Sequence, residues 1–296
     1  MSIETRIEHF KPLKDFSTFG IGGKARQFVS IRTIEEMGEI RKYISKEKVP
    51  FWILGKGSNS LFDDRGFDGL VILNKIDFIE FDQGKLHVGA GTSFSLIGAK
   101  MARMGWGGLE FASGIPGSVG GAIYMNAGAN GMETCDHLTV VGCIDEAGNY
   151  LEKTKDELLF AYRISSFHEW KITIVSGRFE LEKREGAREK QLKIIEYRTA
   201  AQPYGEKSAG CIFRNLDDEC VGALIETCGL KGKRIGGAEV SVLHGNFIVN
   251  RGDATAQDVL DLVTYIKETI REKTGKELEM EVRKIPYQLG ENVYTE

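Results

Sequence analysis

Residues 107–131 read GGLEFASGIPGSVGGAIYMNAGANG, and this glycine-rich stretch is the best guide to the fold. Eight of its residues are glycine, and only Glu110 carries a charge. Glycine permits positive φ and close approach of the backbone to another group, and Pro116 fixes one backbone angle. A loop of this kind suits binding of a phosphate or a flat ring. A tightly packed turn without a ligand would show the same pattern.

A second glycine-rich loop follows a short apolar run. Residues 51–54 (FWIL) are typical of a strand, and residues 55–61 (GKGSNSL) come directly after them. A strand that runs into such a turn is a setting for phosphate contacts from backbone N–H and hydroxyl groups. The loop lacks the Walker A pattern. Residues 20–25 fit G-x-G-x-x-A, but a strand-like run follows them, so they do not form a dinucleotide fingerprint.

Composition excludes several functional classes. The 296 residues include 39 Lys and Arg against 43 Asp and Glu, spread along the chain, so we expect no nucleic-acid binding. The charged N-terminus lacks the apolar region of a signal peptide, and no apolar run is long enough to span a membrane, so we expect a cytoplasmic protein. Five cysteines without CxxC spacing favour free thiols and no metal site.

Strands and helices are mixed without regular βαβ alternation, which predicts an α+β fold with antiparallel or mixed sheets. A charged helical segment, residues 185–199, precedes Gln202-Pro203, and we place a domain boundary near residue 200. Thr255 and Asp258 match a capping box for a helix that continues to Lys273. The last strand is expected over residues 278–285.

Three polar groups stand alone in apolar or glycine-rich surroundings. They are Arg163, Cys211 and Glu281. Alternation along the last strand places Glu281 opposite Met280 and Val282, which face the core. Taken singly, Arg163 also fits a surface ion pair, Cys211 a buried apolar residue, and Glu281 an exposed carboxylate.

Six motifs together resemble the UDP-N-acetylenolpyruvoylglucosamine reductases, the MurB family of peptidoglycan precursor synthesis. They occur in the family's order, and the resemblance covers residues from about 16 to 285. The motifs are LGKGSNSL (54–61), GIPGSVGGAIYMNAGA (114–129), YRISSF (162–167), AGCIFRN (209–215), HGNFIVN (244–250) and LEMEVR (278–283). Their combination is specific, whereas each alone is not.

The resemblance implies an FAD-binding domain of the vanillyl-alcohol-oxidase/PCMH type over residues 1–200, in two α+β subdomains of about 1–70 and 71–200. Residues 201–296 would form a C-terminal α+β substrate-binding domain. FAD would bind without a covalent link, with backbone N–H groups on its pyrophosphate. The implied flavin-binding residues are Gly55, Lys56, Gly57, Ser58, Asn59, Ser60 and Leu61 in one loop, and Ser113, Gly114, Ile115, Pro116, Gly117, Ser118, Gly120, Gly121, Ala122 and Ile123 in the other.

The resemblance also implies a reaction. NADPH would reduce the flavin and leave, and UDP-N-acetylglucosamine enolpyruvate would take the same cleft and be reduced to UDP-N-acetylmuramate. Arg163 and Glu281 match the pair that holds the substrate carboxylate, with Glu281 at least partly protonated or shared with Arg163. Cys211 stands where many members have a proton-donating serine. A thiol, with an ordinary pKa of about 8.5, is a better acid than an alcohol, but it must be protonated at turnover.

Substrate contacts follow from motif position. The chain lacks the longer type's tyrosine-bearing loop between residues 167 and 202, so it resembles the shorter, second type, in which Arg283 is expected to bind the substrate diphosphate. Leu216 replaces a proline common in the family, so the local turn is expected to differ. The other implied substrate contacts are Tyr162, Arg214, Asn215 and Asn246.

Two alternatives remain open at this level. One is an oxidase or dehydrogenase of the same flavin fold that acts on another small substrate; its residues 208–215 and 278–283 would then be unrelated to the MurB motifs. The other is a non-catalytic nucleotide-binding or UDP-sugar-binding regulator, which would carry no flavin and oxidise no NADPH. We expect no membrane partner, and a monomer is favoured without being determined.

Overall fold

The computed structural model describes residues 3–217 and 219–288. The helices are α1 (Ile34–Glu47), α2 (Phe94–Arg103), α3 (Val119–Tyr124), α4 (Ala187–Ala201), α5 (Val221–Thr227) and α6 (Ala256–Thr274). The strands are β1 (Glu8–Pro12), β2 (Lys24–Ile31), β3 (Phe51–Leu54), β4 (Ser60–Phe62), β5 (Gly66–Asn74), β6 (Ile79–Asp82), β7 (Lys85–Gly89), β8 (Trp106–Gly107), β9 (Gly128–Ala129), β10 (Met132–Glu133), β11 (Leu138–Ile144), β12 (Tyr150–Thr154), β13 (Phe160–Ala161), β14 (Ile164–Ser165), β15 (Thr173–Glu180), β16 (Glu182–Lys183), β17 (Ser208–Cys211), β18 (Arg234–Ile235), β19 (Ala238–Val240), β20 (Phe247–Asn250) and β21 (Arg283–Ile285).

The N-terminal sheet has the strand order β1-β2-β5-β3, with β5 parallel to both β2 and β3. Its central strand β5 reads GFDGLVILN and is buried along nearly its whole length, as expected for a parallel strand covered on both faces. Thr33 caps α1 by accepting a hydrogen bond from the amide of Glu36. The apolar side of α1 packs against this sheet and also against Ile144 and Val175 of a second sheet.

The second sheet is antiparallel, with the order β12-β11-β15-β7-β6. Helices α2 and α3 share its core, which includes Val88, Phe94, Phe111 and Val141. The glycine-rich stretch 107–131 crosses this region and contributes α3. Its one charge, Glu110, is fully buried; the carboxylate accepts from the amide of Gly108 at 2.6 Å and pairs with Arg184 at 3.3 Å.

The C-terminal part surrounds a further core, to which the N-terminal part contributes Phe19, Ile21 and Leu61. The sheet β17-β20-β19-β18 is antiparallel, and α5 and α6 cover it. Helix α6 begins at the predicted capping box, because the Thr255 hydroxyl accepts from the amide of Asp258 at 3.0 Å and Asp258 accepts from the amide of Thr255 at 3.0 Å. The mixed and antiparallel sheets confirm the α+β prediction.

The predicted last strand is shorter than the alternation in residues 278–285 suggested. Only Arg283–Ile285 forms a ladder, parallel to β4, while Met280 makes a single bridge to Phe213. Residues 279–282 therefore run between the two parts of the molecule without a continuous partner strand. The expected facing is retained, since Val282 is buried and Glu279 is exposed.

A single 3₁₀ turn, Lys155–Glu157, follows β12. Among the described helices, none combines the length and apolarity needed to cross a lipid bilayer.

A cap from the N-terminal part holds α6. The Asp64 carboxylate accepts from the amides of Ala256 at 2.7 Å and Gln257 at 3.2 Å. These amides belong to the first turn of α6, which has no helical partner for them and carries partial positive charge. One side chain thus joins the loop after β4 to the C-terminal part.

Asp64→Ala is expected to lower the free energy of unfolding by about 1–2 kcal/mol, because it removes a charged cap from the first turn. Urea denaturation measures this change. Glu268→Ala, which removes an exposed carboxylate from the same helix, is the matched control and should change stability little. Equal effects of the two substitutions would contradict a capping role for Asp64.

Candidate active site

A cleft of about 560 Å³ lies among the N-terminal sheet, the glycine-rich stretch and the C-terminal part. It is lined by both glycine-rich loops and by residues from 163 to 283. The loop residues on its wall are Gly55, Lys56, Gly57, Ser58, Asn59 and Ser60, and Ile115, Pro116, Gly117, Ser118, Gly120, Gly121 and Ala122. The two loops therefore face one space, although about 60 residues separate them.

Four of the residues expected to bind the flavin lie outside the cleft wall. The side chains of Leu61 and Ile123 are fully buried in two different cores. Ser113 is also fully buried. The amide of Gly114 donates to Ser95 at 2.8 Å, and its carbonyl accepts from the Tyr204 hydroxyl and from Arg198. The side chains of Leu61, Ser113 and Ile123 therefore support the loops from the core, and the prediction that these four residues bind the flavin stays a prediction.

The loops differ in how many backbone donors they leave available. In the described part of the chain, the amides of Lys56, Gly57, Ser58 and Asn59 donate to no protein group. The amides of Gly117, Gly120 and Gly121 already donate to Ile115, Ala90 and Ser118. The first loop is thus the richer source of donors for an anion, and the second supplies mainly a close-packed wall.

The glycines of the two loops serve two purposes, since some are required by packing against the protein and others leave the cleft wall free of side chains. Gly57 has φ +64°, and an added Cβ there would collide with the carbonyl of Phe16. A Cβ at Gly120 would lie 2.9 Å from Cβ of Ala90. Gly117 and Gly121 face the cleft with room beside them. Free amides on one loop and a smooth glycine wall on the other suit the diphosphate and the flat ring of FAD.

Arg163 and Glu281 form an ion pair inside the cleft. Nε of Arg163 donates to Oε1 of Glu281 at 2.8 Å, and Nη2 donates to the carbonyl of Gly128 at 3.3 Å. Their side chains are 19% and 14% exposed, so water screens the pair weakly. Arg163 has φ +61°, a left-handed conformation that costs energy for a residue with a side chain. The two residues are 118 positions apart in the sequence, so only the tertiary fold brings them together.

Burial and the ion pair act oppositely on these two groups. Burial raises the pKa of the Glu281 carboxyl, and the Arg163 guanidinium opposes this without cancelling it. For Arg163, burial is the largest single influence and lowers the pKa, but the charge and hydrogen bond of Glu281 together with the nearby Tyr162 and Cys211 outweigh it, and the net pKa is raised. Arg163 is therefore a fixed cation, while Glu281 takes up a proton more readily than an exposed glutamate.

Cys211 completes this group at the end of β17. Burial raises the pKa of its thiol to about 12, the charge of Glu281 adds to this effect, and Arg163 opposes it. The thiol is therefore neutral at pH 7, although part of the residue reaches the cleft. The condition that Cys211 be protonated is met by its surroundings.

The expected substrate contacts divide into two groups. Asn215, Asn246 and Arg283 line the cleft, whereas Tyr162 and Arg214 are not among the residues of its wall. Arg214 pairs with Glu279 at 3.0 Å through Nη1 and donates to the carbonyl of Tyr162 through Nη2, so protein groups engage both of its terminal nitrogens.

Asn246 has a structural use that the motif did not reveal. It is buried, its Oδ1 accepts from the amide of Phe213 at 2.9 Å, and its Nδ2 donates to the carbonyl of Phe213 at 2.8 Å. The amide group thus clamps the backbone two residues beyond Cys211. Through this clamp, Asn246 positions the segment that carries the thiol.

Sequence reasoning missed several residues that line the cleft. Three of them line the cleft from different elements: Trp52 is in β3, Tyr124 is at the end of α3, and His244 is in the turn before β20. The apolar run at 51–54 was read only as a strand, and Tyr124 only as part of a motif. Half-burial of Phe51 to Ile53 marks them as a wall, but this pattern is visible only in the structure.

Comparison with family models assigns both parts of the chain. Residues 25–154 match a model described as an FAD binding domain, and residues 202–285 match one described as the UDP-N-acetylenolpyruvoylglucosamine reductase C-terminal domain. An FAD-binding domain that shares a cleft with a buried acid and a fixed cation defines a flavin-dependent oxidoreductase. The expected α+β flavin fold and its FAD cofactor are confirmed.

Individual relatives narrow this class. A UDP-N-acetylenolpyruvoylglucosamine reductase of Protochlamydia amoebophila is 56% identical over 94% of each chain, and that of Chlamydia muridarum is 45% identical over 95% of each. The crystal structure of the MurB enzyme from Thermus caldophilus is 36% identical, covers 95% of this chain and 98% of its own, and superposes with a TM-score of 0.81. The chain belongs to the UDP-N-acetylenolpyruvoylglucosamine reductase family.

The raised pKa of Cys211 predicts slow alkylation. At pH 8, roughly one Cys211 thiol in ten thousand is ionised if its pKa is about 12, and the thiolate is the species that reacts. Iodoacetamide labelling followed by peptide mass spectrometry should modify the exposed Cys220 first and leave Cys211 largely free. Labelling of Cys211 as fast as Cys220 would mean that the thiol is not held in its neutral form.

Proposed function

We propose that the protein catalyses the NADPH-dependent reduction of the enolpyruvyl group of UDP-N-acetylglucosamine enolpyruvate to give UDP-N-acetylmuramate, with Cys211 as proton donor. The observation that carries this proposal is the convergence of Arg163, Cys211 and Glu281 in the flavin cleft. Membership of the reductase family favours this reaction over another oxidase reaction or a non-catalytic regulator. NADPH and the UDP-linked sugar would use the same cleft in turn.

Arg163 would bind the carboxylate of the enolpyruvyl group. When bound, the flavin supplies the hydride that reduces the methylene carbon. Addition there pushes negative charge onto the neighbouring carbon and its carboxylate, and a fixed cation in a weakly screened site stabilises such charge. The guanidinium retains donors beyond those used on Glu281 and Gly128, so it can hold the pair and the substrate together.

Glu281 would share a proton with the developing charge. Its pKa is raised by burial, so its protonated form is available at a higher pH than for an ordinary carboxyl. A protonated carboxyl donates a hydrogen bond to the substrate carboxylate, whereas two bare carboxylates would repel. The Arg163 contact at 2.8 Å fixes the carboxyl in position for this task.

Cys211 would then place a proton on the carbon next to the carboxylate. The S–H bond breaks as the new C–H bond forms, and the sulfur is left as a thiolate that solvent reprotonates. Arg163 favours the transient thiolate, because its charge lowers the pKa of Cys211. Asn246 holds the backbone at Phe213, which keeps the thiol in place.

Cofactor binding and substrate binding would belong to successive segments of the chain. We propose an FAD-binding domain over residues 1–200 and a substrate-binding domain over 201–296. The proposed partner is the small-molecule substrate, with no nucleic acid, and the proposed location is the cytoplasm, where nucleotide-linked precursors and NADPH are available. A monomer is compatible with a cleft built wholly from one chain.

Cys211→Ala is expected to leave flavin reduction by NADPH nearly unchanged and to slow flavin reoxidation by the UDP-linked enolpyruvyl sugar by about 10²–10⁴-fold, since general acids contribute on this scale. Stopped-flow absorbance follows both half-reactions: NADPH bleaches the flavin, and the sugar restores its colour. Cys211→Ser should lose less activity than Cys211→Ala, because a hydroxyl can occupy the donor position.

Cys143→Ala is the matched control, since Cys143 is a buried thiol in β11 outside the cleft. It should leave both half-reactions close to those of the parent protein. Normal reoxidation of Cys211→Ala by the sugar would show that Cys211 is structural. Recolouring by oxygen alone, with no response to the sugar in the parent protein, would remove the proposed substrate.

A further inference from the structure

Two aromatic rings enclose the guanidinium of Arg283. Its Cζ lies 5.1 Å from the ring centroid of Trp52 and 4.9 Å from that of Tyr124. Nη1 also donates a hydrogen bond to the Tyr124 hydroxyl. The three residues come from β3, the end of α3 and the start of β21, so three separate segments build this stack.

The stack leaves the edge of the guanidinium available. In residues 3–217 and 219–288, no carboxylate lies within ion-pair distance of Arg283, and one donor is used on Tyr124. Tyr124 takes up one edge donor, Nη1, and the remaining guanidinium N–H groups donate to no described residue, so they stay available to an anion. Arg283 is thus a cation in the flavin cleft without an acidic partner among the described residues.

Tyr124 is itself fixed from behind. The ring of His168 packs on it with a centroid distance of 4.2 Å, and the Ser165 hydroxyl donates to the carbonyl of Tyr124 at 2.6 Å. Burial lowers the pKa of His168, and the nearby charge of Arg283 lowers it further, so His168 is neutral at pH 7 and adds no competing cation. One wall of the stack is therefore rigid.

The stack adjoins the loop with free amides. The amide of Arg283 donates to the carbonyl of Asn59 at 3.1 Å, and Arg283 pairs in register with Ser60. The donors of residues 56–59 and the edge of Arg283 therefore belong to the same wall of the cleft. A planar cation beside a row of backbone N–H groups matches a diphosphate, which offers several acceptor oxygens to both.

We propose that Trp52 and Tyr124 are positioning residues, which hold Arg283 in one plane so that its edge binds a diphosphate in the cleft. This inference deepens the proposed function, and it rests on that function in giving Arg283 a diphosphate ligand. FAD and the UDP-linked sugar both contain this group. The rings act through Arg283 and need not touch the diphosphate themselves.

Binding measurements on the FAD-loaded protein separate the two sources. Trp52→Leu removes one ring, and Trp52→Phe keeps an aromatic face. If the substrate supplies the diphosphate, Trp52→Leu should weaken binding of uridine diphosphate by about five- to tenfold, as lost cation–π contacts allow, and Trp52→Phe should recover most of the loss. Titration calorimetry with uridine diphosphate measures this, and uridine, which lacks phosphate, should bind all the variants equally.

If FAD supplies the diphosphate, Trp52→Leu should instead speed FAD release on dilution, followed by the recovery of flavin fluorescence, and leave uridine diphosphate binding unchanged. Tyr124→Leu tests the second ring independently. In Arg283→Lys, which keeps the charge but not the plane, adding Trp52→Leu should have little further effect. Trp106→Leu is the matched control, because Trp106 makes a similar cation–π contact outside the cleft, with Nζ of Lys183 lying 4.6 Å from its ring centroid.

The proposal is overturned if neither uridine diphosphate binding nor FAD release responds to Trp52→Leu and Tyr124→Leu. It is also overturned if Trp52→Phe is as impaired as Trp52→Leu, or if uridine binding falls equally, because the rings would then act on something other than the diphosphate. None of these readouts requires turnover. Failure of Cys211 as proton donor would therefore leave them unaffected.

Discussion

The ion pair between Arg163 and Glu281 is the contact on which the cleft depends. It joins the segment after β13 to the run that precedes β21, and so closes the space between the two parts of the chain. A buried charge without a partner costs several kcal/mol, so each member requires the other. The same pair sets the electrostatics around Cys211, because one member raises the pKa of its thiol and the other lowers it.

The segment from Glu281 to Ile285 both connects the two parts of the chain and supplies side chains to the cleft. The Glu281 carbonyl accepts from Asn59, the Arg283 amide bonds to the same residue, and β21 pairs with β4. Five residues thus join the C-terminal part to the first glycine loop while two of their side chains face the cleft. Backbone hydrogen bonds therefore fix the positions from which the Glu281 and Arg283 side chains enter the cleft.

Sequence patterns predicted what depends on local chemistry and failed where distant segments meet. The capping box of α6 is local, and the sequence predicted it correctly. Leu61 and Ile123 fit the binding motifs, but whether a motif residue faces a ligand or the core depends on packing. The hydrogen bonds of Asn246 to Phe213 and the rings around Arg283 span 33 residues or more, so no spacing rule could reveal them.

The left-handed backbone of Arg163 restricts which amino acids can replace it. The position requires a φ of +61° and a guanidinium at the same time. Glycine would relieve the backbone but abolish the charge, and asparagine tolerates the backbone but carries no cation. Lysine would retain the charge and the strain while losing the planar fork that meets Glu281 and Gly128. Each of these three substitutions of Arg163 is therefore expected to impair either the backbone or the charge, even though the residue is in a loop.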